Sequence, residues 1–108
     1  MEYREFGTTG LKISELTFGG GAVGGLLINQ DDETRRRAIG LALEAGINWF
    51  DTAPAYGNGK SEQALGWLLE EMDEKPHIST KFTIDTRNPD LYGQIEQGLN
   101  ASLERLKL

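Results

Sequence analysis

Three ionisable side chains in this sequence could do proton chemistry together. Asp51 and Tyr56 lie in "GINWFDTAPAYGNGKSEQALG", residues 46–66, and Lys81 lies in "ISTKF", residues 78–82. A tyrosine hydroxyl has a reference pKa of about 10, too high for easy proton transfer at neutral pH. A nearby ammonium favours the phenolate and lowers that pKa, and a carboxylate beside the ammonium keeps it charged and oriented. Tyrosine, lysine and aspartate together make a tunable general acid. Such an acid suits protonation of a carbonyl oxygen as hydride reaches the carbon. Taken singly, each residue has a plainer role: a loop carboxylate, a half-buried loop tyrosine and a solvated strand-end lysine. Their matched positions at the ends of two strands give them weight.

Those positions follow from the elements. Residues 3–6 and 11–13, with "GTTG" between them, read as a hairpin. Residues 16–18 read as a short strand that stops at glycines. Asp31 or Asp32 can cap a helix carrying Ala38, Ile39, Leu41, Ala42, Leu43 and Ala45, which Gly46 ends. Residues 47–51 are strand-like, residues 52–60 a loop, and a second helix carries Ala64, Leu65, Leu68, Leu69 and Met72 on one face. Residues 77–82 form a third strand. Asn88 caps a third helix with Pro89 at its first position, and Leu91, Ile95, Leu99, Leu103 and Leu106 mark its apolar face. Strands separated by helices imply parallel pairing and an α/β class. In parallel α/β folds ligands bind at the carboxyl ends of strands, where Asp51 and Lys81 stand.

"TFGGGAVGG", residues 17–25, offers a second motif, because Gly19, Gly21 and Gly24 fit G-x-G-x-x-G. In a dinucleotide fold the third glycine opens a helix, which receives the pyrophosphate. Here residues 25–30 intervene before any helix cap, and no acidic residue ends a second strand at the required spacing. The segment reads instead as a glycine loop after a strand, where a ligand approaches backbone closely.

Composition sets the frame. Hydrophobic residues make up 38% and charged residues 26%, the mix of a globular protein. A net charge of −6, with no Lys/Arg-rich run, argues against nucleic acid or an anionic membrane as partner. With no cysteine there is no disulfide or thiol chemistry, which fits a cytoplasmic location. No run of about 18 apolar residues is present.

The hairpin, "LTFGGG", "GINWFDTAPAYGNGKSEQALG" and "STKF" together resemble the aldo-keto reductases, over essentially the whole chain. The resemblance implies the amino-terminal part of a (β/α)8 TIM barrel, an α/β fold with an N-terminal β-hairpin covering its bottom and about three βα units present. Residues 1–108 would then be one partial oxidoreductase domain. It implies NADPH-dependent reduction of aldehydes or ketones to alcohols, and the reverse, in the complete protein, with NADH as the alternative cofactor and a small carbonyl compound as substrate. Tyr56 would be the proton donor, with Asp51 and Lys81 as its partners. Thr17, Phe18, Gly19, Gly20 and Gly21, with Asp51, would lie beside the cofactor. No metal is implied.

One departure matters. The family's fourth active-site member is a histidine near the end of the fourth strand, and the single histidine here, His77, starts the third. A full barrel takes roughly 250 residues, so the chain is read as the first part of such an enzyme, inactive alone and prone to self-association. The alternative is a non-catalytic member of the fold, an inactive fragment or a regulatory or interaction subunit. Glu62 belongs to the motif with an expected structural role in tying the loop before the second helix. Arg35, Arg36 and Arg37 read as a solvated helix face, and Trp49 and Trp67 as packing residues.

Overall fold

The computed structural model describes residues 1–21 and 25–108. Gly24, the third glycine of the G-x-G-x-x-G match, lies outside them. Strands β1 (Tyr3–Glu5) and β2 (Lys12–Ser14) form an antiparallel hairpin. Strands β3 (Phe18–Gly19), β4 (Trp49–Asp51) and β5 (His77–Ser79) form a parallel sheet in chain order. Helices α1 (Asp32–Glu44), α2 (Lys60–Glu70) and α3 (Leu91–Leu106) follow the three strands in turn.

The pleat sorts the strand residues. Phe18 pairs with Phe50, and Phe50 with Ile78; Phe50 is fully buried, with Phe18 and Ile78 against the same core as Leu27, Ile39, Leu65, Leu68 and Leu106. The opposite face carries Gly19, Asp51 and Ser79 in one row and Trp49 and His77 in another. Helices thus cover one face, and the chemistry-bearing residues occupy the other.

The hairpin is fastened under β4. Ser14 N donates to Asn48 Oδ1 at 2.7 Å, Asn48 N to Ser14 Oγ at 3.1 Å, and the Tyr3 hydroxyl to Gly46 O at 2.9 Å. The Phe6 ring meets Trp49 at 4.8 Å, so the hairpin also touches the inner face.

Helix starts differ in how well local sequence foretells them. Of the two candidates, Asp31 caps α1, accepting from Thr34 N at 2.8 Å. The cap of α3 is Asp90, not Asn88: Asp90 Oδ1 accepts from Gly93 N at 2.9 Å. Asn88 instead accepts from Asp90 N at 3.0 Å, a turn that feeds the chain into the cap. Strand β5 is also shorter than expected. Its last ladder bond runs from Thr52 N to Ser79 O at 2.8 Å, and β4 then turns away, leaving residues 80–82 without a partner strand. Leu91 and Leu99 are exposed, although they belong to the apolar periodicity of α3.

The three arginines of α1 divide. Arg36 reaches α2, donating twice to Glu71 at 3.0 Å and lying 4.8 Å over the Trp67 ring. Arg35 pairs with Asp32 at 2.9 Å on its own helix.

Helix α2 meets α3 at Gly66. A Cβ there would stand 2.2 Å from Arg105 O and 2.9 Å from the Leu106 backbone. Gly40, in α1, has nothing within 4 Å of the same position. Gly40→Ala should therefore stabilise the chain by up to about 1 kcal/mol, the helix-propensity gain. Gly66→Ala should forfeit that gain and destabilise by about 1–3 kcal/mol, because backbone must move. Denaturation midpoints of the two variants check this; a stabilised Gly66→Ala would show that the helices part without cost.

Candidate functional site

The site is assembled at the carboxyl ends of β4 and β5. Asp51 is the last residue of β4 and pairs in register with Gly19 and Ser79. After it the chain turns down through Thr52, whose buried hydroxyl meets Ser61 Oγ at 2.8 Å. The loop then coils back on itself: Tyr56 N donates to Ala53 O, and Ser61 N to Tyr56 O. Gly57, Asn58 and Gly59 follow with φ of 61°, 53° and 88°, three left-handed residues in succession. Only a glycine-rich stretch makes such a coil without strain. It leads directly into α2 and holds Tyr56 half-buried beside the sheet end.

Lys81 joins these parts. Its Nζ donates to Asp51 Oδ2 at 2.6 Å and to Thr52 O at 3.0 Å, and lies 5.0 Å above the Tyr56 ring. Burial pulls the ammonium down, but the hydrogen bond to Asp51 and the nearby Tyr56 hydroxyl outweigh it and hold Lys81 above the usual lysine value. The ammonium therefore stays charged through neutral pH. Asp51 is held at its other oxygen as well, where Ser79 Oγ donates to Oδ1 at 2.8 Å.

Sequence reasoning singled out Asp51, Tyr56 and Lys81, and the fold brings all three together. The glycine segment borders them. Gly19 lies on the same face as Asp51, with open space where a side chain would stand. Gly21 abuts the Tyr56 ring, its absent Cβ lying 3.5 Å from Cε2. Gly20 is buried, its N–H donating to Asp51 O at 2.8 Å. Thr17 is exposed, and the Phe18 ring turns to the core side, 5.1 Å from Phe50. His77 sits at the start of β5, away from Lys81, with its ring 5.9 Å from Trp49.

Two features escaped the sequence reading. Ser79 is one; it ends β5 in register with Asp51, and aligning the ends of the two neighbouring strands would have found it. The other is the partner set of Glu62. This carboxylate is fully buried and accepts from Arg105 Nε at 2.5 Å and Thr80 Oγ1 at 2.6 Å. It ties α2 to α3 and to the residue before Lys81, rather than to the loop preceding α2. Among the described residues no cluster suited to a metal ion occurs, and no helix is long and apolar enough to cross a membrane.

The sequence profile described as "Aldo/keto reductase family" matches residues 15–108. The chain belongs to that family. It is 35% identical to the aldo-keto reductase YhdN of Bacillus subtilis, over 99% of this chain and 35% of that protein. It is 37% identical to a putative voltage-gated potassium channel subunit beta of Schizosaccharomyces pombe, over 100% of this chain and 34% of that protein. Among solved structures, the holo form of aldo-keto reductase AKR11C1 from Bacillus halodurans superposes with a TM-score of 0.77 at 29% identity, covering 99% of this chain and 37% of that one. A putative aldo-keto reductase from Pseudomonas aeruginosa gives 0.79 at 33%, covering 97% and 41%. The chain thus spans about a third of the length of the curated relatives it matches. Its hairpin and three βα units are the amino-terminal part of an aldo-keto reductase TIM barrel, and the family is one of oxidoreductases.

The raised Lys81 value fixes a pH dependence. A lysine whose folded value exceeds its unfolded one adds stability that is complete below the unfolded value, about 10.4, and is lost as pH rises through the folded one. The stability gap between the wild-type chain and Lys81→Met should therefore be constant around neutrality and narrow as pH rises through the alkaline range. Parallel denaturation series from neutral to alkaline pH check this, and a gap that does not narrow as the lysine loses its proton would contradict a raised Lys81.

Proposed function

We propose that this chain is the amino-terminal part of an enzyme that reduces aldehydes or ketones with NADPH, with Tyr56 as general acid supported by Lys81 and Asp51. The observation that carries this reading is the Lys81 ammonium, hydrogen-bonded to Asp51 Oδ2 at 2.6 Å while lying over the Tyr56 ring. A nicotinamide cofactor fits the residues present, because Gly19 leaves the sheet face beside Asp51 bare. Thr17, Gly19, Gly21 and Asp51 would hold it. Phe18 and Gly20, turned to the core or packed beneath, would border it through backbone alone. When bound, the reduced nicotinamide supplies the hydride.

The chain's own residues supply the rest. Tyr56 Oη donates its proton to the carbonyl oxygen, and the phenolate left behind faces the Lys81 ammonium. Asp51 keeps that ammonium in place. Thr52 O takes a second of its N–H groups, which stops the long side chain from swinging to solvent. Comparing NADPH with NADH by titration settles the cofactor preference. The substrate side of the site lies in parts of the barrel beyond these three units.

In the full-length protein, Tyr56→Phe should lower carbonyl reduction about a hundredfold or more, the usual contribution of a positioned acid. NADPH affinity, read by fluorescence titration, should stay near that of the wild type. Single-turnover reduction at an unchanged rate would remove Tyr56 from the mechanism.

A second reading, a regulatory or interaction subunit built on the same fold, has support in the 37% identity to the potassium channel subunit beta. The wild-type reduction rate of the full-length protein separates the two, since a non-catalytic member of the fold would show none.

The 108-residue segment by itself is expected to self-associate. Among the described residues, β3 and β5 each present an unpaired strand edge. Phe82 past β5 and Leu91, Tyr92 and Leu99 on α3 are exposed, and a groove of 430 Å³ opens between Ile78, Phe82, Ile95 and Leu99. Light scattering of the purified segment at several concentrations should show assembly; a monomer at every concentration would contradict it.

A further inference from the structure

We propose that Ser79 is a positioning residue for the Asp51–Lys81 pair, its hydroxyl aimed by the Trp49 indole so that it holds the Asp51 carboxylate in the orientation Lys81 needs. The inference rests on the reading of Lys81 and Asp51 as the support of Tyr56.

The direction of each bond follows from the donors available. An indole N–H only donates, so the 3.1 Å contact between Trp49 Nε1 and Ser79 Oγ makes the serine oxygen an acceptor. The hydroxyl has one proton left to give. Two acceptors lie in reach, Asp51 Oδ1 at 2.8 Å and Phe50 O at 3.5 Å. The shorter, charge-assisted bond prevails. A hydroxyl that already accepts a hydrogen bond is also a better donor. The proton of Ser79 therefore points at Asp51 Oδ1, and Asp51 Oδ2 is left to Lys81 at 2.6 Å.

With both oxygens engaged, the carboxylate is restrained from turning about its Cβ–Cγ bond. Lys81 is then held at two points, Asp51 Oδ2 and Thr52 O, in its place above the Tyr56 ring. Trp49 is itself fixed between Phe6 of the hairpin at 4.8 Å and His77 of β5 at 5.9 Å. The order Phe6, Trp49, Ser79, Asp51, Lys81 thus runs from the bottom of the sheet to its top. An inert strand serine would not need this arrangement: Ser79 is the register partner of Asp51 and the acceptor for an indole that faces the same side.

The test reads Lys81 without relying on catalysis. Among the described residues, the ionisable side chains facing it are Asp51 from β4 and Tyr56 from the following loop. Competitive acetylation of Lys81 in the full-length protein, followed by mass spectrometry as pH is raised, gives its titration. Ser79→Ala should bring that titration down by about half a unit, since the bond to the charged form is loosened. It should lower kcat rather than raise KM. Ser79→Thr, which keeps the hydroxyl, should restore both, and Trp49→Phe should shift the titration the same way by less. A Ser79→Ala protein with Lys81 titrating as in the wild type overturns the proposal. Should Ser79→Ala fail to fold, Trp49→Phe carries the same test, because it removes the indole donor and keeps an aromatic ring. A Tyr56→Phe protein that still reduces carbonyls would sink the reading of the acid, while the Lys81 titration would still decide the role of Ser79.

Discussion

A carboxylate with no exposed surface constrains the arrangement of everything around it. Left unpaired, a buried ion costs several kcal/mol, so Glu62 must meet donors on both oxygens. One donor is Arg105 near the end of α3, and the other is Thr80 just past β5. Two segments far apart in sequence are thereby pinned to one group at the start of α2. Gly66, one turn further along α2, lets the α3 backbone come close enough for Arg105 to reach. Charge and shape thus specify the same helix crossing. Thr80 is thereby held toward α2, next to Lys81 and just past the end of β5. The pinning of Glu62 therefore bears on the site without touching it.

How much of this could be read from sequence depends on how local the cause is. The α/β order, the hairpin, a cap at Asp31 and the buried face of α2 follow from periodicity and short-range chemistry, whereas Leu41, among the apolar residues read on α1, is exposed. The placing of Asp51 and Lys81 at neighbouring strand ends follows too, because a parallel sheet aligns such ends by its construction. The Asp90 cap was hidden by a better-looking candidate two residues earlier. "NPD" spells a cap at Asn88, but the turn made there is spent on leading the chain to Asp90. The Glu62–Arg105 pair joins residues 43 apart, and no local rule selects one arginine among several. The short β5 and the exposed Leu91 and Leu99 reflect what lies beside them in space, and sequence pattern is silent on that. Ser79 was within reach of the strand period and was missed because serine in a strand draws no attention.

The glycine segments show how one residue type answers separate demands. The spelling G-x-G-x-x-G suggests a phosphate cradle, yet Gly20 is occupied with packing: a Cβ there would stand 2.7 Å from Ser61 Oγ. Ser61 is in turn bonded to Thr52, the residue after Asp51. Bareness at Gly20 lets β3 sit against the start of α2, whereas bareness at Gly19 leaves room beside Asp51. The glycines at 57 and 59 instead supply backbone freedom for the coil that carries Tyr56. Ligand approach, close packing and left-handed turns all enrich glycine, so the spacing of glycines is weaker evidence than the elements around them.

The Asp51–Lys81 pair is best understood as geometry rather than as stability. With the lysine side chain 48% exposed and the aspartate 35% exposed, solvent screens most of its attraction, and pairs of this kind add little to folding. What the pair supplies is direction. A lysine has a long, freely turning stem, and a lone ammonium at a strand end would sample much of the solvent around it. Here Asp51 and Thr52 hold it from one side, while Tyr56 lies beneath it. The anchors come from β4 and its loop, and the lysine comes from the segment after β5. The position of the charge is therefore set by the register of two strands and not by its own rotamers. A group held in this way costs little to reorganise as charge develops on a neighbouring oxygen, which is what the role proposed for Tyr56 would ask of it.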